Sequence, residues 1–216
     1  MAHVVLVDVL ITVALLLVWY LGFTQYNRRK GAQALRLVEA ACTGSGRVIE
    51  SHWISGSRLR ARLRVASQWI EDASVTVRLR PRSMPVQWAL SLWRGQEETV
   101  TFEADLDYVP SFNLEVFRHR WFTQNSPSDE TGTRNWMMAR LNPVVLTTRG
   151  QWNQDMTPVV NTLLSSRGHK LTRVRLRAKS PQLSATVPLQ TLSDEQASAG
   201  FFDVVRDLAA GPASRQ

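Results

Sequence analysis

The sequence has little of several residue types that commonly stabilise small folds or build metal sites. Its 216 residues include a single cysteine, Cys42, which excludes a disulfide framework and a zinc site built from cysteines. Nine prolines and eleven glycines are too few for a collagen-like or low-complexity chain. Charged residues make up 20% and hydrophobic residues 44% of the chain, a balance that favours a folded protein. The length predicts one domain, or one domain with an attachment.

Lysine is also scarce, because 23 of the 26 basic residues are arginine. The net charge is +8 and the sequence pI about 10.7, so an anionic partner is expected on electrostatic grounds. Arginine favours bidentate contacts to phosphate or carboxylate. The same bias is also explained by genomic composition alone, and the sequence does not separate the two explanations.

Motifs of common enzyme classes are missing. The chain has no HExxH, GxSxG or CxxC motif, and its one glycine pair, Gly44-Ser-Gly46, precedes a predicted strand and not a helix. The four histidines lie at no metal-ligand spacing: His3, His52, His119 and His169. We therefore predict no catalytic residue, metal ligand or cofactor. An enzyme whose site lies in a cleft made by the fold remains the alternative.

What the sequence does contain is a long apolar run, Val4–Phe23, interrupted only by Asp8 and Thr12. As a helix it covers about 30 Å, the thickness of a bilayer's hydrocarbon core. A cleaved signal peptide requires basic residues before the run and small residues at the cleavage site, and neither is present. The sequence predicts a retained transmembrane anchor with its basic flank over residues 1–30. Asp8 is expected to reach water near the outer interface, with a contact to another membrane helix as the alternative.

Basic residues near the run lie on one side only. Arg28, Arg29, Lys30 and Arg36 follow it, and none precedes it. The positive-inside rule then predicts an outside N-terminus and a cytoplasmic C-terminal domain at the plasma or inner membrane. The lone Cys42 is compatible with that reducing compartment.

Beyond the anchor, the pattern predicts one α+β domain over residues 31–210, with a mostly antiparallel sheet, about three helices packed on it, and a disordered tail over 211–216. Apolar residues at helical spacing predict helices over 31–42, where Gly31 is a candidate bend, over 157–167, and near the C-terminus from Ser193. Strict alternation predicts half-buried strands. The strand predictions cover a strand from Arg47, then 58–65, 75–80, 99–107, 114–121, 174–178 and 183–187. Asn125–Thr133 is predicted to be a mobile loop.

Charge is distributed in blocks along these strands. Two interpretations of the arginines stay open. Either they form cross-strand ion pairs with the acidic strand that carries Glu103, Asp105 and Asp107, at about 0.2–1 kcal/mol each, or they face outward and contact anionic headgroups. The candidate lipid- or partner-binding residues are Arg28, Arg29, Lys30, Arg58, Arg60, Arg62, Arg64, Arg173, Arg175, Arg177, Trp93 and Trp136.

The two tryptophans in that set are candidates for a hydrophobic contact. Alternation in Met84–Trp93 (MPVQWALSLW) predicts an extended segment with Trp93 on the face opposite Trp88. Trp136 precedes Met137 and Met138, which adapt readily to a partner surface.

Taken together, the sequence predicts a single-pass membrane protein with a non-catalytic interaction or accessory domain. The domain is expected to contact anionic lipid headgroups or another membrane-protein subunit. A membrane-tethered enzyme is the alternative. Nucleic-acid binding is weaker still, since the arginine faces lack the exposed aromatic rings that sheet-based readers of single strands use.

Overall fold

A computed structural model describes residues 2–42, 46–118, 136–141, 144–149, 156–165, 171–192 and 195–210. The predicted loop at 125–133 and the predicted tail at 211–216 lie outside them. Within these residues the helices are α1 Ala2–Cys42, α2 Pro85–Trp93, α3 Met156–Ser165 and α4 Glu195–Ala210. The strands are β1 Gly46–Ser55, β2 Arg58–Val65, β3 Ile70–Arg78, β4 Thr99–Leu106, β5 Asn113–Arg118, β6 Trp136–Leu141, β7 Val144–Arg149, β8 Arg173–Leu176 and β9 Leu183–Pro188.

The nine strands among these residues form one sheet in the order β1-β2-β3-β4-β9-β8-β5-β7-β6, and every neighbouring pair is antiparallel. Strict alternation places apolar residues on one face, as β4 shows: Val100, Phe102, Ala104 and Leu106 are buried, while the residues between them are half-buried. The predicted α+β class with an antiparallel sheet is confirmed.

The core lies between the apolar face of the sheet and three helices. Buried side chains from α1, α3 and α4 join those of the strands in one cluster, as expected when helices cover one face of a sheet. The helix contributions include Ala34, Val38, Cys42, Val159, Leu163, Phe201, Val205 and Leu208.

Helix α1 belongs to two environments. Residues 3–18 are all exposed, and from Trp19 onward one side of the helix packs against the domain. Of the helices that the structure describes, this one is long and apolar enough to cross a membrane, with a mean hydropathy of 2.7 in its most apolar 18-residue window and none of that window buried. The apolar run and the predicted helix over 31–42 are therefore parts of one element.

Gly31, the candidate bend, lies inside the continuous helix α1, and a Cβ there would lie 2.6 Å from Cη2 of the Trp53 indole. The glycine lets α1 approach the edge strand β1. One prediction is wrong: Pro85–Trp93 is the helix α2 and not part of an extended segment. Proline at its first turn and the i, i+4 spacing of its apolar residues suit a helix equally well.

We expect Gly31→Leu to lower the free energy of unfolding by about 1–3 kcal/mol, because its side chain must displace the Trp53 ring or push α1 off the sheet. Gly22→Leu is the matched control, since a Cβ at Gly22 meets nothing within 4 Å. The measurement is thermal or chemical unfolding of the full chain in detergent micelles. Equal stability of the two variants would show that α1 and β1 are not in close contact.

Candidate functional site

The end of the domain where α1 leaves it is held by a buried asparagine. Asn27 is fully buried, and its Nδ2 donates to the carbonyl oxygens of Gly56, in the β1–β2 turn, and Arg80, each at 3.1 Å. Arg82 in turn donates to its Oδ1 at 3.3 Å. All its amide groups are used, so one turn of α1 is fixed to two separate loops. We call this end of the domain the exit end.

Glu98, just before β4, accepts hydrogen bonds from α1 and from the loop after β3 at the same exit end. Its carboxylate lies 2.6 Å from Nζ of Lys30 and 2.7 Å from Nη1 of Arg82, and it also accepts from the backbone N–H of Arg80 at 3.3 Å. Burial alone would raise the pKa of Glu98, but the hydrogen bond from Lys30 and the charge of Arg82 outweigh it and hold that pKa below 4.5. Lys30, predicted to bind lipid, therefore has an internal counter-ion.

Aromatic contacts continue from the exit end along α1, toward the half of the helix that the domain leaves uncovered. Trp19 and Phe23, one turn apart, pack on Trp88 of α2 with ring centroids 5.7 and 6.2 Å away. The Trp19 indole N–H donates to the carbonyl oxygen of Arg82 at 3.0 Å, and the Arg82 guanidinium lies 5.0 Å from the Tyr26 ring centroid. Here α2 is attached directly to the last turns of the apolar run.

The arginines of β2 divide into paired and unpaired residues. Arg62 donates to both oxygens of Asp72 at 3.1 and 2.9 Å, and Arg60 lies 3.9 Å from Glu103 across β3. The acidic strand β4 is therefore not next to β2 but reaches it across one intervening strand. Of the two pairs, only Arg60–Glu103 joins an arginine to the acidic strand β4 as predicted, because Asp72, the partner of Arg62, belongs to β3.

The other two β2 arginines lie opposite arginines. Arg58 is in register with Arg78 of β3, and Arg64 with Arg47 of β1. All four are exposed, and none has an ion pair with another residue that the structure describes. Arg28 and Arg29, exposed on α1, share both properties. These six side chains carry positive charge that no ion pair among the described residues compensates.

Three arginines on and just after β8 converge on a carboxylate that the sequence analysis did not single out. Glu115 of β5 is buried, and it pairs with Arg173 at 2.5 Å, with Arg175 directly opposite it in register, and with Arg177 at 3.8 Å. The Arg173 guanidinium also lies 4.6 Å from the Phe117 ring centroid. The position of Glu115 between two apolar residues indicates a strand, but its partners are set by register across the sheet.

The two candidate tryptophans lie on different elements of the fold. Trp93 is the last residue of α2 and is 84% exposed. Trp136 starts the edge strand β6, opposite Arg149 of β7. Their role in binding stays a prediction.

A concavity of about 430 Å³ opens on the polar face of β1–β4, lined among others by His52, Arg60, Asp72 and Glu103. The hydrogen bond from Arg62 lowers the pKa of Asp72, which is opposite to the shift that a general acid at neutral pH requires. In the parts of the chain that the structure covers, no group of three His, Cys, Asp or Glu side chains could hold a metal ion. The charged side chains that line the concavity pair with one another at the surface of the sheet.

We expect Glu98→Gln to lower the free energy of unfolding by about 1–3 kcal/mol at pH 7, because Lys30 and Arg82 lose a shared, mostly buried counter-ion. Since the pKa of Glu98 is lowered by folding, its contribution is present above pH 4.5 and is lost as the pH falls through the lowered value. The difference between wild type and variant should therefore shrink below pH 4.5.

Unfolding of the full chain in micelles, measured from pH 3 to pH 8, checks this expectation. Glu97→Gln is the control, because Glu97 is an exposed neighbour with the same charge. A Glu98→Gln penalty that is the same at all pH values would contradict the assigned role.

Comparison with known proteins adds no functional assignment. No protein-family model matches the chain, and no curated protein matches it.

Proposed function

We propose that this chain is a single-pass membrane protein whose α+β domain acts, without catalysis, as an interaction or accessory module at the membrane surface. The observation that carries the proposal is the uncovered half of α1. Its large apolar side chains from Val4 to Val18 are each 48–70% exposed. Burying each in a bilayer is favourable by about 1.5–3 kcal/mol, and no other described part of the chain covers them.

The distribution of charge supports a cytoplasmic domain. Arg28 and Arg29 lie on the domain side of the apolar run, where α1 is already attached through Asn27, and no basic residue lies on the other side. Positive charge at a span's end is retained on the cytoplasmic side.

The exit end is the part of the domain best placed to contact anionic headgroups. Arg28 and Arg29 follow the apolar run by about 8–9 Å of helix, within the Debye length of about 8–10 Å. The contact of Asn27 with Gly56 puts Arg58, two residues beyond, and its neighbour Arg78 at the same level. Each such arginine adds about 1 kcal/mol of attraction to an anionic leaflet.

The other candidate arginines are less suited to binding lipid headgroups. Arg60, Arg62 and the three arginines around Glu115 already have carboxylate partners within the sheet. Arg64 lies at the far end of β2, about 20 Å from Arg58 at 3.3 Å per residue. A partner subunit beside the domain, and not the bilayer below it, would meet these side chains.

The anchor and its orientation are tested in a bacterial expression host. We expect the full chain to stay in the membrane pellet after alkaline carbonate, since a span is held by the hydrocarbon core. Protease should cleave the domain in inverted vesicles and spare it in intact spheroplasts. Release by carbonate would overturn the anchor, and cleavage in spheroplasts would overturn the orientation.

The lipid contact is tested by comparing two double variants of equal charge change. We expect Arg58→Gln with Arg78→Gln to reduce the number of phosphatidylglycerol molecules that stay bound to the purified full chain in native mass spectrometry. Arg47→Gln with Arg64→Gln removes the same charge at the far end of the same sheet and should leave that number unchanged. Equal losses in both would mean that binding follows net charge and not the exit end.

A further inference from the structure

Helix α2 presents its apolar side outward. Val86, Leu90 and Trp93, spaced i, i+4 and i+7, are 73%, 41% and 84% exposed, and Met84 just before the helix is 49% exposed. The inward position Ser91 is polar and 2% exposed, and its hydroxyl donates to the carbonyl oxygen of Trp88. A helix on a water-facing surface has the opposite arrangement.

Charge is also arranged around α2 and not on it. No residue from Pro85 to Trp93 is charged, and the exposed Arg94 follows the helix directly. A basic residue beside an apolar helix face, with tryptophan at the end of the helix, suits the boundary between acyl chains and headgroups. A docking surface for a soluble protein does not require basic residues and tryptophan at the ends of the helix.

The attachment of α2 to α1 fixes the position of α2 along the apolar run, and so its depth in a bilayer that the run crosses. The part of the apolar run that the domain leaves uncovered, residues 4–18, covers about 22 Å as a helix, which is short of a hydrocarbon core of about 30 Å. The remaining 19–23 supply the difference, and they lie beside Trp88. If the whole run is in the membrane, Trp88 lies beside its last ~7 Å, which puts α2 in the boundary region that an interfacial helix occupies.

We propose that α2 is a second membrane contact: an in-plane helix whose Met84, Val86, Leu90 and Trp93 lie in the headgroup–acyl boundary of the leaflet from which α1 emerges. This inference rests on the proposed membrane anchor. Its occupant is the lipid of the bilayer, because a surface joined to the flank of a spanning helix shares the solvent of that flank. Together, α1 and α2 hold the domain at two points and fix its rotation about the span.

The test places an environment-sensitive fluorophore, nitrobenzoxadiazole, on single cysteines of the full chain. The native Cys42 is buried, and wild type treated with the same reagent confirms that it does not react. Leu90→Cys and Val86→Cys report on α2, Val13→Cys on the span, and Ala66→Cys on an exposed residue just after β2, at the far end of the domain. Each labelled chain is reconstituted into phosphatidylcholine–phosphatidylglycerol vesicles, and quenching by lipids brominated on the acyl chain is compared with quenching by aqueous iodide.

We expect brominated lipid to quench the labels at positions 90, 86 and 13, and iodide to quench the label at position 66. Quenching of the position 13 label by lipid together with quenching of the α2 labels by iodide would overturn the in-plane helix and leave the anchor standing. Protection of the α2 labels from both quenchers would show that protein, in these vesicles a second copy of the chain, covers this face of α2, and would also overturn the in-plane helix. Quenching of the position 13 label by iodide would overturn the anchor and with it this inference.

Discussion

The structure depends on the continuity of α1. One helix supplies both the uncovered apolar run and a wall of the domain core, and Gly31 lies in close contact with Trp53. Asn27, which is buried, and Glu98, which is partly buried, then fix the helix laterally through hydrogen bonds and ion pairs. A flexible linker between the apolar run and the domain would leave the domain free to reorient relative to that run. A continuous helix with these attachments does not.

This continuity sets the direction of the sheet. Asn27 lies beside Gly56 at one end of β1, and α1 ends at Cys42, just before β1 starts at Gly46 at its other end. The first strands therefore run along α1, and a helix packed on a sheet lies parallel to its plane. In the proposed arrangement the sheet stands upright on the membrane. Its open polar face looks sideways, and only the strand ends and α2 reach the headgroups.

Sequence reasoning succeeded where a pattern is local. Perfect alternation in β2 and β4 identified half-buried strands, because the faces of a strand differ at every second residue. It failed for Met84–Trp93, where alternating apolar residues also fit a short helix that is apolar on its outer side. It also missed β6 and β7 and could not pair charges. Glu115 and Glu98 gain their basic partners through register and loop packing, and residues far apart in the chain carry no sign of either.

The charge pairs give the arginine bias a use inside the fold. A planar guanidinium can donate two parallel hydrogen bonds, as Arg62 does to Asp72, and several can share one carboxylate, as three do at Glu115. Lysine offers a point charge without that geometry. The sheet's polar face thus neutralises much of its own charge. The arginines without an ion pair among the described residues include Arg58 and Arg78, Arg47 and Arg64 near strand ends, and Arg28 and Arg29 on α1, so positive charge at these places is not cancelled within the fold.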